Sequence, residues 1–271
     1  MKTRQVMTRY GKMTVIAEDM VISKSLIEYG EWEYGEISVL EQIIKPGMRV
    51  IDVGANIGCH TLAFSKLVGP AGWVLSLEPQ PFVFSLLAAN VIENQAFNVL
   101  ALNAAASDAP RWIDMPNFSY AEPQNYGALR LHDFWADEGK ETKHIPVPAH
   151  RLDDLSAAAS AHLIKIDVEG MESAVLEGAR GIISKSRPVL FVENETAGAE
   201  SETVLRMLFE MGYDAYWQSA PIFNPNNFNG NQKDLFPKMG CMNVLAVPRE
   251  SAIKEAGRKI MSASEHPRKQ A

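Results

Sequence analysis

Short apolar runs alternate along the chain with longer stretches in which apolar residues recur every three or four positions. The short runs indicate buried β-strands, and the longer period indicates amphipathic helices. The predicted strands are Arg49–Val53, Trp73–Leu77, Val99–Ala105, Leu163–Val168, Pro188–Glu193, Tyr213–Gln218 and Met242–Val247. The predicted helices are 35–44, Gly58–Leu67, Pro81–Glu93, Met171–Ile183 and Ser201–Met211.

The alternation of strands and helices predicts an α/β fold, with a mostly parallel seven-stranded sheet and helices on both faces. Residues 48–248 form the predicted main domain, and residues 1–47 form a leader whose short strands and helix pack on the core. Within the main domain, residues 110–150 are rich in Pro, Asn, His and aromatic side chains, which predicts an insertion that faces a ligand. Residues 249–271 form a basic tail, which we expect to be a solvated helix or a frayed terminus.

The composition is that of an ordinary globular chain, with 271 residues, 46% hydrophobic residues and a net charge of −7. These values exclude disordered and disulfide-dense classes, and the negative charge disfavours nucleic acid as a partner. Cys59 and Cys241 can form a disulfide, but free thiols in a reducing cytoplasm are the simpler interpretation. Neither a signal peptide nor a membrane-spanning segment is recognisable, so we expect a cytoplasmic protein without membrane contact.

A glycine-containing turn, Asp52–Gly58 (DVGANIG), closes the first main-domain strand and opens a helix. Gly54 permits a tight turn, and Gly58 permits the close approach of a ligand or of the helix. The two glycines lie four apart and follow an acid, unlike the GxGxxG pattern of dinucleotide-binding turns. The acid would repel a pyrophosphate but suits a cationic ligand such as S-adenosylmethionine. The alternative is an ordinary strand-to-helix turn.

Two further strand ends carry polar residues that fit the same kind of ligand. Glu78 lies 26 residues after Asp52, where an acid is expected to accept hydrogen bonds from ribose hydroxyls, and Pro79 then turns the chain away. Ser107 and Asp108 follow the third strand, where they could bind an adenine amino group or form an ordinary turn.

The segment Leu163–Glu172 (LIKIDVEGME) places three charged residues on one side of a predicted strand, namely Lys165, Asp167 and Glu169. Charged groups inside a buried strand are costly unless they are paired or have a function. A Lys165–Asp167 pair could be structural, but its position beside the glycine turn favours catalysis or substrate orientation.

Weaker candidates complete the predicted site. Glu193 ends the next strand, and Asn125, His144 and His150 lie in the insertion; Glu193, Asn125 and Glu169 are candidate contacts for a substrate. No HxH, HExxH or Cys/His cluster with metal spacing occurs, which argues against structural zinc, and we assign no metal ligands. Asp167, Glu193 and Asn194 could form a hard-cation site, which the sequence alone does not show.

The motifs DVGANIG, LEP around Glu78, and IKIDVEGME together resemble the FkbM family of S-adenosylmethionine-dependent methyltransferases, over residues 48–247. The preceding EWEYGE (Glu31–Glu36) is similar to the family's upstream segment. The resemblance implies a class I methyltransferase Rossmann-like fold with the last strand antiparallel. Cys59 and His60 depart from the family, which commonly has an aromatic and a small residue there. The cofactor contacts that the resemblance implies are Asp52, Gly54, Ala55, Asn56, Gly58, Glu78, Pro79, Ser107, Asp108 and Asp167.

The sequence therefore predicts a methyltransferase that moves a methyl group from S-adenosylmethionine to a hydroxyl of a small molecule. A hydroxyl acceptor needs a base; we expect Asp167 in this role, tuned by Lys165, with His144 or His150 as the alternative. Other open interpretations are an RNA ribose methyltransferase, an N-methyltransferase and a non-catalytic cofactor-binding module. The oligomeric state stays open, with a homodimer as one option.

Overall fold

The structure, a computed structural model, describes residues 2–117, 119–127, 144–253 and 257–270. The strands are β1 Thr3–Thr8, β2 Gly11–Ile16, β3 Arg49–Val53, β4 Trp73–Leu77, β5 Val99–Leu102, β6 Ala105–Ala106, β7 Arg111–Pro116, β8 His144–His150, β9 Leu163–Ile166, β10 Val189–Glu193, β11 Tyr213–Pro221, β12 Gly240–Pro248 and β13 Arg258–Lys259. The helices are α1 Ile22–Tyr29, α2 Tyr34–Ile43, α3 Cys59–Val68, α4 Pro81–Glu93, α5 Glu172–Gly178, α6 Arg180–Ser186 and α7 Ala199–Glu210. Among the described residues, every helix is too short or too polar to cross a membrane.

The main sheet has eight strands in the order β13-β11-β12-β10-β9-β3-β4-β5. The five strands from β10 to β5 are parallel, and β12 runs antiparallel to both of its neighbours. This confirms the predicted α/β class with a mostly parallel sheet. The seven predicted strands are all present, and the two-residue β13 adds an eighth at the edge next to β11.

The central strands are apolar on both faces, as expected for a parallel sheet between two helical layers. Ile51, Leu75 and Ile164 belong to one buried cluster, together with residues of α5, α6 and α7. Val50 and Val74, which alternate with them along the strands, belong to a second cluster with residues of α2 and α3. The carboxyl ends of β3, β4, β9 and β10 therefore lie side by side at one edge of the sheet.

Three predicted elements differ from the structure. The strand predicted over Leu163–Val168 ends at Ile166, so Asp167 and Glu169 follow the strand rather than lie within it. The strand predicted over Val99–Ala105 ends at Leu102, and Ala105–Ala106 enters a separate three-stranded sheet in the order β6-β8-β7. The helix predicted over Met171–Ile183 is divided at Ala179 into α5 and α6. The cause is an acidic cap, because the Asp153 carboxylate accepts the N–H groups of Gly181 at 2.9 Å and Ile182 at 2.8 Å.

The segments that flank the main domain also pack against it. The leader consists of the β1–β2 hairpin followed by α1 and α2. The tail was expected to be solvated or frayed, but His266 is buried, and its Nε2 lies 3.0 Å from the Asn194 carbonyl oxygen. The His266 ring also packs edge-on against Trp217, which fixes the chain near the carboxyl end of β10. In the insertion, β7 and β8 pair antiparallel, while residues 128–143 lie outside the described residues.

Candidate active site

A cavity of about 780 Å³ lies at the carboxyl ends of the parallel strands. Its size falls in the upper part of the range of about 300–1,000 Å³ that is typical of small-molecule sites. Six of the predicted cofactor contacts line it, namely Gly54, Ala55, Asn56, Glu78, Pro79 and Asp167. The cavity is also lined by the predicted catalytic and substrate residues Lys165, Asp167, Glu169, Glu193 and Asn125. Motifs far apart in the sequence thus meet at one site.

The turn after β3 requires a glycine at position 54. Gly54 has a φ of +80°, and a Cβ there would lie 1.7 Å from the Asp167 carbonyl oxygen. The backbone N–H groups of Gly54 and Ala55 both donate to the Leu77 carbonyl at 3.0 Å, which joins the turn to the end of β4. The close backbone contact brings Asp167 next to the turn, so the ends of β3 and β9 share one wall of the cavity.

Glu78 is held at the end of β4 with both carboxylate oxygens occupied. Oε2 accepts the Asn56 N–H at 2.9 Å, and Oε1 accepts the Gln80 N–H at 2.8 Å. The residue is 3% exposed, and this burial raises the pKa of Glu78 to about 7, against the lowering effect of the two N–H groups. Each carboxylate oxygen can accept more than one hydrogen bond, so the group can still receive ribose hydroxyls.

Lys165 joins two carboxylates beneath the cavity floor. Its Nζ lies 2.9 Å from Asp167 Oδ2 and 3.8 Å from Asp52 Oδ1, and its side chain is 3% exposed. Burial alone would lower the pKa of Lys165, but the charges of Asp167 and Asp52 outweigh it and raise the pKa. Asp52 Oδ2 also accepts the Thr61 hydroxyl at 2.6 Å. The ammonium is therefore permanently charged near neutral pH.

Asp167 lies between this ammonium and a second carboxyl group. Burial would raise the pKa of Asp167, but the charge and the hydrogen bond of Lys165 hold it below its usual range. Glu193 is hydrogen-bonded to Asp167, and burial together with the charge of Asp167 raises the pKa of Glu193 well above its usual range. The opposite directions of the two pKa shifts favour the ionised form of Asp167 and the protonated form of Glu193.

Six predicted residues are not among those that line the cavity. Asp52 lies behind Lys165, and Gly58 meets α4, where an added Cβ would lie 2.8 Å from Leu87 Cδ1. Ser107 and Asp108 bond to each other and to Arg111, while Ala104, Ala105 and Ala106 line the cavity beside them. The proposed alternative bases, His144 and His150, lie in β8, where His144 is exposed.

Several cavity residues were missed by the sequence motifs. Glu33 and Glu36 come from the start of α2, and His60 comes from the first turn of α3. Further lining residues come from β12, from the segment just before it and from the tail, namely Lys238, Met239, Cys241, Asn243 and Arg268. Arg268 pairs with Glu195, which follows β10. Of these residues, only Glu33 and Glu36 could have been noticed in the sequence, because both lie in the EWEYGE segment (Glu31–Glu36) that is similar to the family's upstream segment.

The chain was compared with known proteins. A model of the methyltransferase FkbM domain matches residues 52–215, more than half of the chain. Ribosomal protein L11 methyltransferase of Chloroflexus aurantiacus is 23% identical over 172 residues, covering 64% of this chain and 47% of that protein. The chain thus spans about half the length of this curated relative.

Two solved structures show similar folds. Methyltransferase FkbM from Methylobacillus flagellatus KT aligns with a TM-score of 0.46 at 16% identity, over 73% of this chain and 43% of that chain. Trm5b from Pyrococcus abyssi aligns with a TM-score of 0.50 at 11% identity, over 91% of this chain and 55% of that chain. At 11% identity the likeness to Trm5b concerns the fold alone.

The fold is that of the class I S-adenosylmethionine-dependent methyltransferases. The chain belongs to the FkbM family. The family match confirms the resemblance that the three motifs carry. It also confirms S-adenosylmethionine as the cofactor, and the site fits it, because Glu78 offers a carboxylate at the tip of β4 on the cavity wall.

The affinity for S-adenosylmethionine is expected to fall in acid because Glu78 must be ionised to accept ribose hydroxyls. With a pKa of about 7, the ionised fraction is about tenfold smaller at pH 6 than at pH 8. Titration calorimetry should therefore show a dissociation constant about tenfold larger at pH 6. Glu78→Gln should bind weakly at both pH values and without this slope. An unchanged affinity of the native protein between pH 6 and pH 8 would contradict the role of Glu78.

Proposed function

We propose that this methyltransferase transfers its methyl group to a hydroxyl of a small polar molecule, with Asp167 as the base. The observation that carries the proposal is the position of Asp167, which touches the cofactor turn at Gly54 and lines the same cavity as Glu193. Its carboxylate is kept ionised by Lys165 at 2.9 Å, so it can accept a proton at neutral pH.

The proposed reaction is an in-line displacement at the methyl carbon of the cofactor. A lone pair of the acceptor oxygen forms the new C–O bond, while the C–S bond breaks and its electron pair returns to sulfur. The acceptor proton passes to Asp167. A carboxylate of lowered pKa suffices, because the hydroxyl becomes strongly acidic once the oxygen begins to bind carbon. Alignment and exclusion of water within the cavity supply much of the remaining rate enhancement.

The charge of the cavity favours a small neutral or cationic acceptor. Among the described residues that line it, carboxyl groups outnumber Lys and Arg side chains, and Arg268 is already paired with Glu195. A phosphate-rich acceptor would be repelled by the remaining carboxylates, because affinity for a nucleic-acid backbone depends on Lys and Arg contacts. Hydroxylated natural products, sugars and lipid-like molecules with polar heads fit this lining.

The proposal is tested by identifying the labelled product. The protein is incubated with S-adenosylmethionine labelled in the methyl group, in parallel with a metabolite fraction and with total RNA. We expect label in a small molecule, as a methyl ether formed at a hydroxyl oxygen. Label in RNA, or label on nitrogen, would overturn the proposed acceptor class. Calorimetric cofactor binding without transfer to either fraction would indicate a non-catalytic cofactor-binding module.

A further inference from the structure

Three side chains of a kind that can bind a metal ion line the cavity, and they are distinct from Asp167 and Lys165. Glu33 precedes α2, Glu36 lies in the first turn of α2, and His60 lies in the first turn of α3. One ligand atom from each of the three lies within 4.8 Å of the other two. We propose that Glu33, Glu36 and His60 bind a divalent transition-metal ion that holds the acceptor hydroxyl, an inference that rests on the proposed function.

The His60 ring supplies an observation that does not depend on the two acids. His60 is 5% exposed, and within the described part of the chain its Nε2 has no hydrogen-bond partner. The nearest carboxylate oxygen of the group, Glu36 Oε2, lies 3.6 Å away. A buried ring nitrogen without a partner costs free energy unless a ligand satisfies it. An imidazole nitrogen with two carboxylates within 4.8 Å is a set of donor atoms that suits a metal ion.

The carboxylates are oriented by groups on β12. Glu36 Oε1 accepts the Asn243 Nδ2 at 2.5 Å, and Glu33 Oε1 accepts the Cys241 thiol at 2.5 Å. Hydrogen bonds of this kind fix metal-ligating carboxylates and are typical of metal sites. Because Asn243 holds Oε1, the other oxygen of Glu36 faces His60.

The spacing and the donor set fit a transition metal. Ligands at about 2.1 Å in a tetrahedral site lie about 3.4 Å apart, close to the 3.6 Å between His60 Nε2 and Glu36 Oε2. One imidazole and two carboxylates suit Mn²⁺, Zn²⁺ or Fe²⁺. Three protein ligands leave a coordination position open, as in catalytic sites. All three residues line the cavity, so that position can face the acceptor.

The metal ion would increase the acidity of the acceptor hydroxyl and orient its oxygen towards the methyl carbon. The hydroxyl proton passes to Asp167, the oxygen forms a bond to carbon, and sulfur leaves with the electron pair of the C–S bond. The metal keeps its charge, and no oxidant or reductant is consumed. Asp167 and Glu33 line the same cavity, so both can face one acceptor.

Metal binding is measured on the full chain saturated with S-adenosylmethionine, using Mn²⁺ or Zn²⁺ in calorimetry and Co²⁺ in visible absorption. We expect one ion per chain and a Co²⁺ spectrum typical of mixed nitrogen and oxygen ligands. His60→Gln and Glu36→Gln should weaken binding by about 100-fold or more, since loss of outer partners already costs about 10–100-fold. Glu41→Gln, on the exposed face of α2, and Glu169→Gln, in a separate acidic group, should bind as the native protein does.

The outcomes separate this inference from the proposed function. Any of three results would overturn the metal site: no stoichiometric binding, binding retained in His60→Gln, or binding lost in Glu169→Gln. Methyl transfer to a hydroxyl would still support the proposed function in each of these cases. Removal of metal with a chelator should lower transfer at least tenfold, with recovery on addition of Mn²⁺ or Zn²⁺; unchanged transfer would refute the catalytic role of the ion. The Co²⁺ spectrum of the native protein tests nitrogen ligation even if a variant does not fold.

Discussion

Asp167→Asn is expected to abolish turnover while it leaves cofactor affinity nearly unchanged. An amide has almost the shape of the carboxylate but cannot accept the hydroxyl proton, so the rate should fall by about 10²–10⁴-fold. The Asp167 carbonyl, not its side chain, meets the Gly54 turn, and Glu78 stays in place. Labelled-methyl transfer gives the rate, and calorimetry gives the dissociation constant of S-adenosylmethionine.

The matched control for this substitution is Asp114→Asn. Asp114 lies in β7 with an exposed side chain, and it is not among the cavity residues. Its turnover should equal that of the native protein. If Asp167→Asn retains native turnover, Asp167 is not the base, and the hydrogen-bonded Glu193 becomes the group to replace next.

Lys165→Met is expected to have the largest effect on stability. The substitution leaves Asp52 and Asp167 without their shared cation, and Asp52 is fully buried. Removing one partner of a buried ion pair costs about 3–5 kcal/mol. The free energy of unfolding, measured in urea, should fall by that amount at pH 8. The loss should be smaller at pH 5, because a carboxyl group without its cation takes up a proton more readily in the folded state.

A lysine at the surface provides the comparison. Lys185 is exposed near the end of α6, and Lys185→Met should change the free energy of unfolding by less than about 0.5 kcal/mol. A Lys165→Met protein as stable as the native one at pH 8 would show that the two aspartates do not depend on the ammonium.

The cofactor half of the site could be predicted because its residues follow strands directly. Gly54, Glu78 and Asp167 each lie at the end of a short apolar run, and parallel strands bring such ends together whatever the loops do. Asp52 shows the limit of this reasoning, since its side chain points behind the strand end towards Thr61 and Lys165 rather than into the cavity. Alternation along one strand does not show which charged group reaches the ligand.

The other half depends on packing between distant segments. His60 and Glu36 are 24 positions apart on different helices, and Asn243 orients Glu36 from a strand more than 200 residues away. The predicted adenine contacts, Ser107 and Asp108, do not line the cavity, because the third strand stops at Leu102 and the chain enters a second sheet. Arg268 lines the cavity because the buried His266 holds the tail against the main domain. The basic composition of the tail did not indicate that it packs there.

The two halves of the cavity come from different parts of the chain, and this division bears on how substrate range can change. The ends of β3, β4 and β9 form one half, whereas the start of α2, the segment before β12 and Arg268 form much of the other. Substitutions at Lys238, Met239 or Arg268 can therefore reshape the acceptor side without touching Gly54 or Glu78. Libraries directed at these positions offer an engineering route to new acceptors that keeps the methyl donor constant.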